Sequence, residues 1–210
     1  MGRPGPLQLL AVVIEFALAM TSLGLFGYSY PDRIRSLLWR LGGDAGWNSN
    51  PRLRIYFCAN HREPPPIPFI WSPSFTESNL TVAAVSMAVW FARFVFSCLG
   101  FASKPTNVAY DSLLVAMWTL SIRGQVSSDL SDPDHLSLRP WYLERSCNDV
   151  ASYGRAACWV AKASLAFSFL SLGFYLLRLA ASLAWLVYRC GQRGQFAREF
   201  RASAQFLALG

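Results

Sequence analysis

Four apolar stretches divide this chain, at 7–28, 80–101, 108–122 and 157–188, and each carries a charged residue well inside it: Glu15, Arg93, Asp111 and Arg178. A helix needs about 20 mostly apolar residues to cross the hydrocarbon core of a bilayer. The first, second and fourth stretches meet that length; the third, which stops at Arg123, is the weakest of the four. A charge at the centre of a lone span costs on the order of 3 kcal/mol. Two acids and two bases shared among four spans therefore predict helices that bury their charges against one another. The expected fold is an all-α membrane protein, a four-transmembrane-helix bundle forming a single membrane domain over 1–210.

Composition points the same way. The chain is 53% hydrophobic and 15% charged, with eight Trp, whereas a soluble domain is about 25% charged. Four spans leave no room for a sizeable soluble domain in 210 residues. The first apolar run is longer than the roughly 7–15-residue core of a signal peptide, so it is expected to stay as a signal anchor. The net charge of +7 comes without any nucleic-acid-reading motif. It implies anionic lipid head groups as partners and argues against nucleic acid. His61 and His135 lie in different loops, with no nucleophile motif beside either. No catalytic residue, cofactor or metal ligand is expected, and the chain is not read as an enzyme. Asp129, Asp132, Asp134 and His135 cluster in the last loop, where a solvated turn is favoured over a weak cation site.

Four spans place both termini and the turn 102–107 on one side, and the long loops 29–79 and 123–156 on the other. Basic residues are dense near the span ends on the termini side (Arg3, Lys104, Arg189, Arg193), which favours cytosolic termini, although Arg33, Arg35 and Arg40 follow the first span. The membrane itself, plasma or secretory-pathway, is left open. In the first loop, Asp32 can cap a short helix over 33–41 that Gly42-Gly43 would end. Ile34, Leu37, Leu38 and Leu41 form one apolar face of it, to lie on head groups or to pack on the end of the bundle. The run from Pro51 to Phe57 alternates like a short strand. Trp39, Trp47, Trp71 and Trp141 fall beside the membrane, as an aromatic belt would. Asn79-Leu-Thr81 is a glycosylation sequon too close to the second span for use.

Of the five cysteines, Cys147 and Cys158 are eleven apart in the last loop. They form a disulfide if that loop faces an oxidising compartment, and are free thiols otherwise. The tail 189–210 carries Arg189, Arg193, Arg198 and Arg201, a lipid-facing basic segment, with Cys190 a candidate for palmitoylation or an unmodified thiol.

Counting 1.5 Å per helical residue puts the four intramembrane charges roughly 5–15 Å from the termini side. They sum to zero and share one half of the membrane, so salt bridges that decide which helices are neighbours are favoured over an ion path. Such a path calls for polar lining on several turns, broken helices or paired repeats, and the stretches are read as having no Gly or Pro break and no repeat. Lys162 and Arg123 are near enough to the long-loop face to snorkel to it. Small residues, among them Ser86, Ser164 and Ser168, suit close helix packing.

The segments Asp111-Ser-Leu-Leu-Val-Ala-Met-Trp118 and Cys158-Trp-Val-Ala-Lys-Ala-Ser-Leu-Ala-Phe167 resemble those of the fungal MARVEL-like four-transmembrane-helix family. There the third span similarly starts with an Asp and carries a Trp a heptad later. The last span similarly opens with a Cys, a Lys-Ala and an aromatic. The resemblance implies a non-catalytic protein that organises membrane subdomains or vesicle traffic, with copies of itself or other membrane proteins as partners. The alternative is a small transporter or channel that uses Glu15, Arg93, Asp111 and Arg178.

Overall fold

A computed structural model describes residues 6–61, 63–64, 66–101 and 103–207, with the side chains at 7, 8, 55, 57 and 193–207 left aside. Seven α-helices follow in order: α1 (Pro6–Ser29), α2 (Arg33–Asp44), α3 (Leu53–Ala59), α4 (Pro73–Cys98), α5 (Lys104–Gln125), α6 (Trp141–Glu144) and α7 (Ser152–Leu207). A 3-10 turn, Phe69–Trp71, precedes α4. Among the described residues there is no strand, only an isolated bridge between Asp129 and Ser137.

Three helices are long and apolar enough to cross a membrane: Leu9–Ser29 of α1, Pro73–Cys98, and Ser152–Gln192 within α7. With 22 residues, α5 has the length but not the composition. The third apolar stretch is thus a helix, yet not a membrane span by composition alone.

The four long helices pack in the ring order α1, α4, α5, α7, with α7 closing back on α1. Between α4 and α5 the chain reverses in five residues. Gly100, at φ +78°, takes the left-handed conformation that ends α4. Phe101 N–H then donates to Phe96 O at 2.9 Å. Ser103 caps α5 by accepting from Thr106 N–H at 3.3 Å, so the helix starts inside the expected turn 102–107.

At the opposite end the two long loops fold together into a cap. Its core is Leu38, Ile70, Trp71, Trp141 and Tyr142, all at most 3% exposed. Cys147 and Cys158 are disulfide-bonded there, with Cα atoms 5.6 Å apart, tying the approach of α7 to the helix itself.

Several expectations for the loops are corrected. The segment from Pro51 is helical (α3), because alternation alone gives a strand no neighbour to bond and a helix satisfies its own backbone. Asp32 makes no side-chain cap to α2, which runs past Gly42-Gly43 to Asp44. Gly42 serves close approach: a Cβ there would lie 2.5 Å from Trp141 Cδ1 and collide with the Asn48 side chain. Gly42→Ala should therefore unseat Trp141 and cost about 1–3 kcal/mol, seen as a lower unfolding midpoint and a shifted tryptophan emission. An unchanged midpoint would show that the cap yields at this contact.

Trp39, Trp71 and Trp141 are core residues and not a membrane belt, since each indole N–H finds a partner inside the cap. Trp39 donates to Ser49 Oγ (3.0 Å), Trp71 to Asp129 Oδ2 (2.9 Å) and Trp141 to Leu38 O (2.9 Å). Trp47 is half-buried against Trp141. Of the two settings open to the 33–41 face, packing on the bundle's end is the one found, with Ile34, Leu38 and Leu41 buried.

The last helix does not stop where the apolar stretch does. It continues without a break to Leu207, 56 residues in all, or about 84 Å. Arg189 lies 5.0 Å from the Trp185 ring centroid. The side chains of Arg193, Arg198 and Arg201 lie outside those described.

Candidate functional site

On the inward faces of the four long helices sit Glu15, Arg93, Asp111 and Arg178, one to each. Arg93 Nη1 donates to Glu15 Oε1 and Arg93 Nη2 to Asp111 Oδ1, both at 2.6 Å. Arg178 Nη1 donates to Glu15 Oε2 at 2.5 Å, and Arg178 Nε lies 3.5 Å from Asp111 Oδ1. Each carboxylate thus meets both guanidinium groups, and each ion pair joins one helix to the next around the ring. Glu15 and Asp111 are 1% and 0% exposed. Arg93 Nη2 also donates to Asn107 O at 3.3 Å, drawing the first turn of α5 onto α4. Charges so deep are tolerable only when paired and bonded.

Beyond the quartet, toward the cap, the interior stays polar. Tyr175, 1% exposed, lies between the quartet and Ser86. Ser86 accepts from Trp118 Nε1–H at 3.1 Å. A turn or more further, Ser121 Oγ–H donates to Asn79 Oδ1 at 2.6 Å. The Gln125 amide donates to Ser121 Oγ (3.2 Å) and Ser168 Oγ (2.8 Å). Ser22 and Ser171 are buried too, each seven residues, or about two helical turns, from Glu15 and Arg178 toward the cap.

The column ends in a chamber of about 20 Å³ beneath the cap, lined by Ser29, Arg35, Thr76, Gln125, Tyr142 and Ser164 among others. Arg35 Nη1 donates to Ile70 O at 3.0 Å, and the guanidinium stacks 4.3 Å from the Phe75 ring centroid and hydrogen-bonds Tyr142. Burial pushes the Tyr142 hydroxyl above its ordinary range and Arg35 below its own. Burial also raises Asp32, against the opposing pull of Arg35.

These contacts make the interior polar over several turns. Asn79, Ser121, Gln125, Ser22, Ser171 and Tyr175 were not singled out as interior polar groups in the sequence. The available signal was on α7, where Ser164, Ser168, Ser171, Tyr175 and Arg178 recur at alternating spacings of four and three, a helical seam of polar residues. Hydroxyls in an apolar helix fit the small-residue packing pattern equally well. Ser86, Ser164 and Ser168 are small and buried, and each also donates to the carbonyl four residues back.

Other sequence candidates fall elsewhere. Asp129 belongs to no solvated turn: it is 2% exposed, and its Oδ2 accepts from Ser49 Oγ–H (2.6 Å), Ser49 N–H (3.2 Å) and Trp71. Asp132 pairs with exposed His135 at 3.1 Å, and no metal-binding group of acids, His and Cys occurs among the described residues. Asn79 of the sequon is fully buried. Lys162 Nζ donates to Arg145 O at 2.9 Å on the cap side, and Arg123 is exposed in the last turn of α5. Asp111 and Trp118 share the buried face of α5, and Cys190 is an exposed free thiol.

No family model matches the chain, and no solved structure matches it. One curated protein is similar, Kojic acid related protein 1 of Aspergillus oryzae, at 28% identity over 120 residues. That match takes in 56% of this chain and 46% of the relative, so the chain spans under half the length of the protein it matches.

Proposed function

We propose that all four long helices cross the bilayer, α5 included, and that the protein is a non-catalytic, multi-pass membrane protein acting through its fold. The carrying observation is the ring of ion pairs. Asp111, eighth of the 22 residues of α5, is the acid buried inside that helix, and two arginines from neighbouring helices compensate it. At 22 residues, α5 measures about 33 Å, which matches the hydrocarbon core. The disulfide supports a cap in an oxidising compartment and, with it, termini in the cytosol. On that topology the basic residues from Arg189 onward meet the anionic inner leaflet. The resemblance to MARVEL-like proteins supports a role in organising membrane subdomains or vesicle traffic. A rigid, capped helical unit suits that role.

Cys58 and Cys190 are both exposed and free, and α4, α5 and α7 lie between them in the chain. Three crossings put them on opposite sides; without α5 there would be two, and they would share a side. In variants keeping one of these thiols, a membrane-impermeant maleimide should label Cys58 on intact cells and Cys190 only after permeabilisation. Labelling of both from one side would remove α5 from the membrane. For the organising role, a fluorescent fusion should gather in membrane patches or vesicles. Even distribution with no co-purifying protein would count against it.

A further inference from the structure

Six buried side-chain atoms among the described residues have no hydrogen-bond partner in the protein, and their placement is not random. One, Asn48 Oδ1, is in the cap. The other five lie along the interior of the helical ring: Arg93 Nε and Asp111 Oδ2 at the quartet, Ser22 Oγ and Ser171 Oγ above it, then Asn79 Nδ2; by the chamber the Thr76 and Asp32 side chains are bonded to each other. From Arg93 to Asn79 along α4 the series covers roughly 21 Å, about two thirds of the hydrocarbon thickness. Between these atoms stand the bonded groups already described.

A group surrounded by lipid-facing helices has no bulk water to turn to, and leaving it unpaired costs several kcal/mol. Internal water is the usual remedy, each molecule bridging about three such groups. The chamber of about 20 Å³ is large enough for one molecule. Hydroxyls and waters share the property that matters here: each can accept a proton on one side while releasing another on the other.

We propose that this column relays protons between the cap side and the quartet. Each hop forms one O–H bond and breaks the next, and reorientation of the hydroxyls and waters resets the chain. A proton taken up at one end is matched by one released at the other, with charge balanced by a counter-ion moving elsewhere. The route runs through Ser164 and Ser168, Ser121, Ser171 and Ser22, Ser86 and Tyr175, to the unpartnered Asp111 Oδ2.

Two observations confine it to protons. Trp118 and Tyr175 fill the middle, at 0% and 1% exposed, which leaves no bore for a hydrated metal ion. The formal charges cancel at both ends, Arg35 against Asp32 and the quartet within itself. The relay rests on α5 crossing the membrane with its neighbours and falls if the labelling result removes α5; it is independent of any organising role, so the relay and the clustering can each fail alone.

The test uses the full chain in potassium-loaded phospholipid vesicles with an entrapped pH dye and a valinomycin-imposed potential. Wild type should acidify the lumen well above protein-free vesicles. Tyr175→Phe keeps the ring and removes the hydroxyl between Ser86 and the quartet; it should bring flux to the protein-free level with an unchanged unfolding midpoint. If that variant loses its fold, Ser22→Ala with Ser171→Ala decides, since it removes two unpartnered hydroxyls and should also abolish flux. Lipid-facing Leu120→Ala should conduct as wild type. Wild-type flux equal to the blank, undiminished flux in both hydroxyl variants, or osmotic water flux without proton flux would each overturn the relay.

Discussion

Replacing Glu15 and Arg93 together with glutamines should leave a folded protein, whereas replacing Glu15 and Asp111 together with amides should not. Both doubles remove two charges, put two carboxamides in their place and lose most of the ion pairs, three of the four against all four, so the count alone hardly separates them. The ring does. Without Glu15 and Arg93, Arg178 still has Asp111 at 3.5 Å, and the interior is neutral. Without the two acids, two guanidinium groups face each other in a buried site with no counter-charge. Each single substitution strands one charge, and breaking a buried pair in that way costs about 3–5 kcal/mol. The neutral double should recover a large part of that loss and the cationic double should lose more. Unfolding midpoints in detergent, with the monodisperse fraction by size-exclusion chromatography, measure the order. Equal behaviour of the two doubles would mean that the quartet does not hold the helices.

Loss of the Cys147–Cys158 bond should loosen the cap while the helices stay assembled. The bond closes a loop of eleven residues, and constraining a loop of that size stabilises by about 2–3 kcal/mol. Both sulfurs are in the cap's core, with Cys147 1% and Cys158 0% exposed. Cys147→Ser with Cys158→Ser should therefore expose Trp71 and Trp141, shifting tryptophan emission to the red and opening the loop after α6 to protease. Helix content by circular dichroism should hardly change. A cap that resists protease equally with and without the bond would show that its tryptophan core suffices.

The charges and the apolar stretches were legible because they break the composition of their surroundings. A glutamate or arginine amid twenty apolar residues has few partners available, so Glu15, Arg93, Asp111 and Arg178 could be grouped by depth counting alone. The cap was not legible in the same way. Its core joins Leu38 to Trp141 and Ser49 to Asp129, pairs 103 and 80 residues apart, and no local period announces such contacts. A tryptophan beside a membrane looks the same in sequence whether it faces head groups or, like Trp71, lies 1% exposed with its N–H on Asp129. The serines of the interior were ambiguous for a related reason. Ser171 and Ser22 satisfy the same small-residue pattern whether they serve packing or polarity, and only the facing helix distinguishes the two.

By itself the sequence determined that long apolar helices form, where most of them lie, and that their buried charges must cancel, since each follows from local hydrophobicity and the cost of burying an unpaired charge. Tertiary structure alone decided the ring order of the helices, the course of the polar column and the folding of two loops into one cap. Those depend on which side chains meet across the packed helices and across long sequence separations, and hydrogen bonds between such groups exist only once the backbone has brought them within reach.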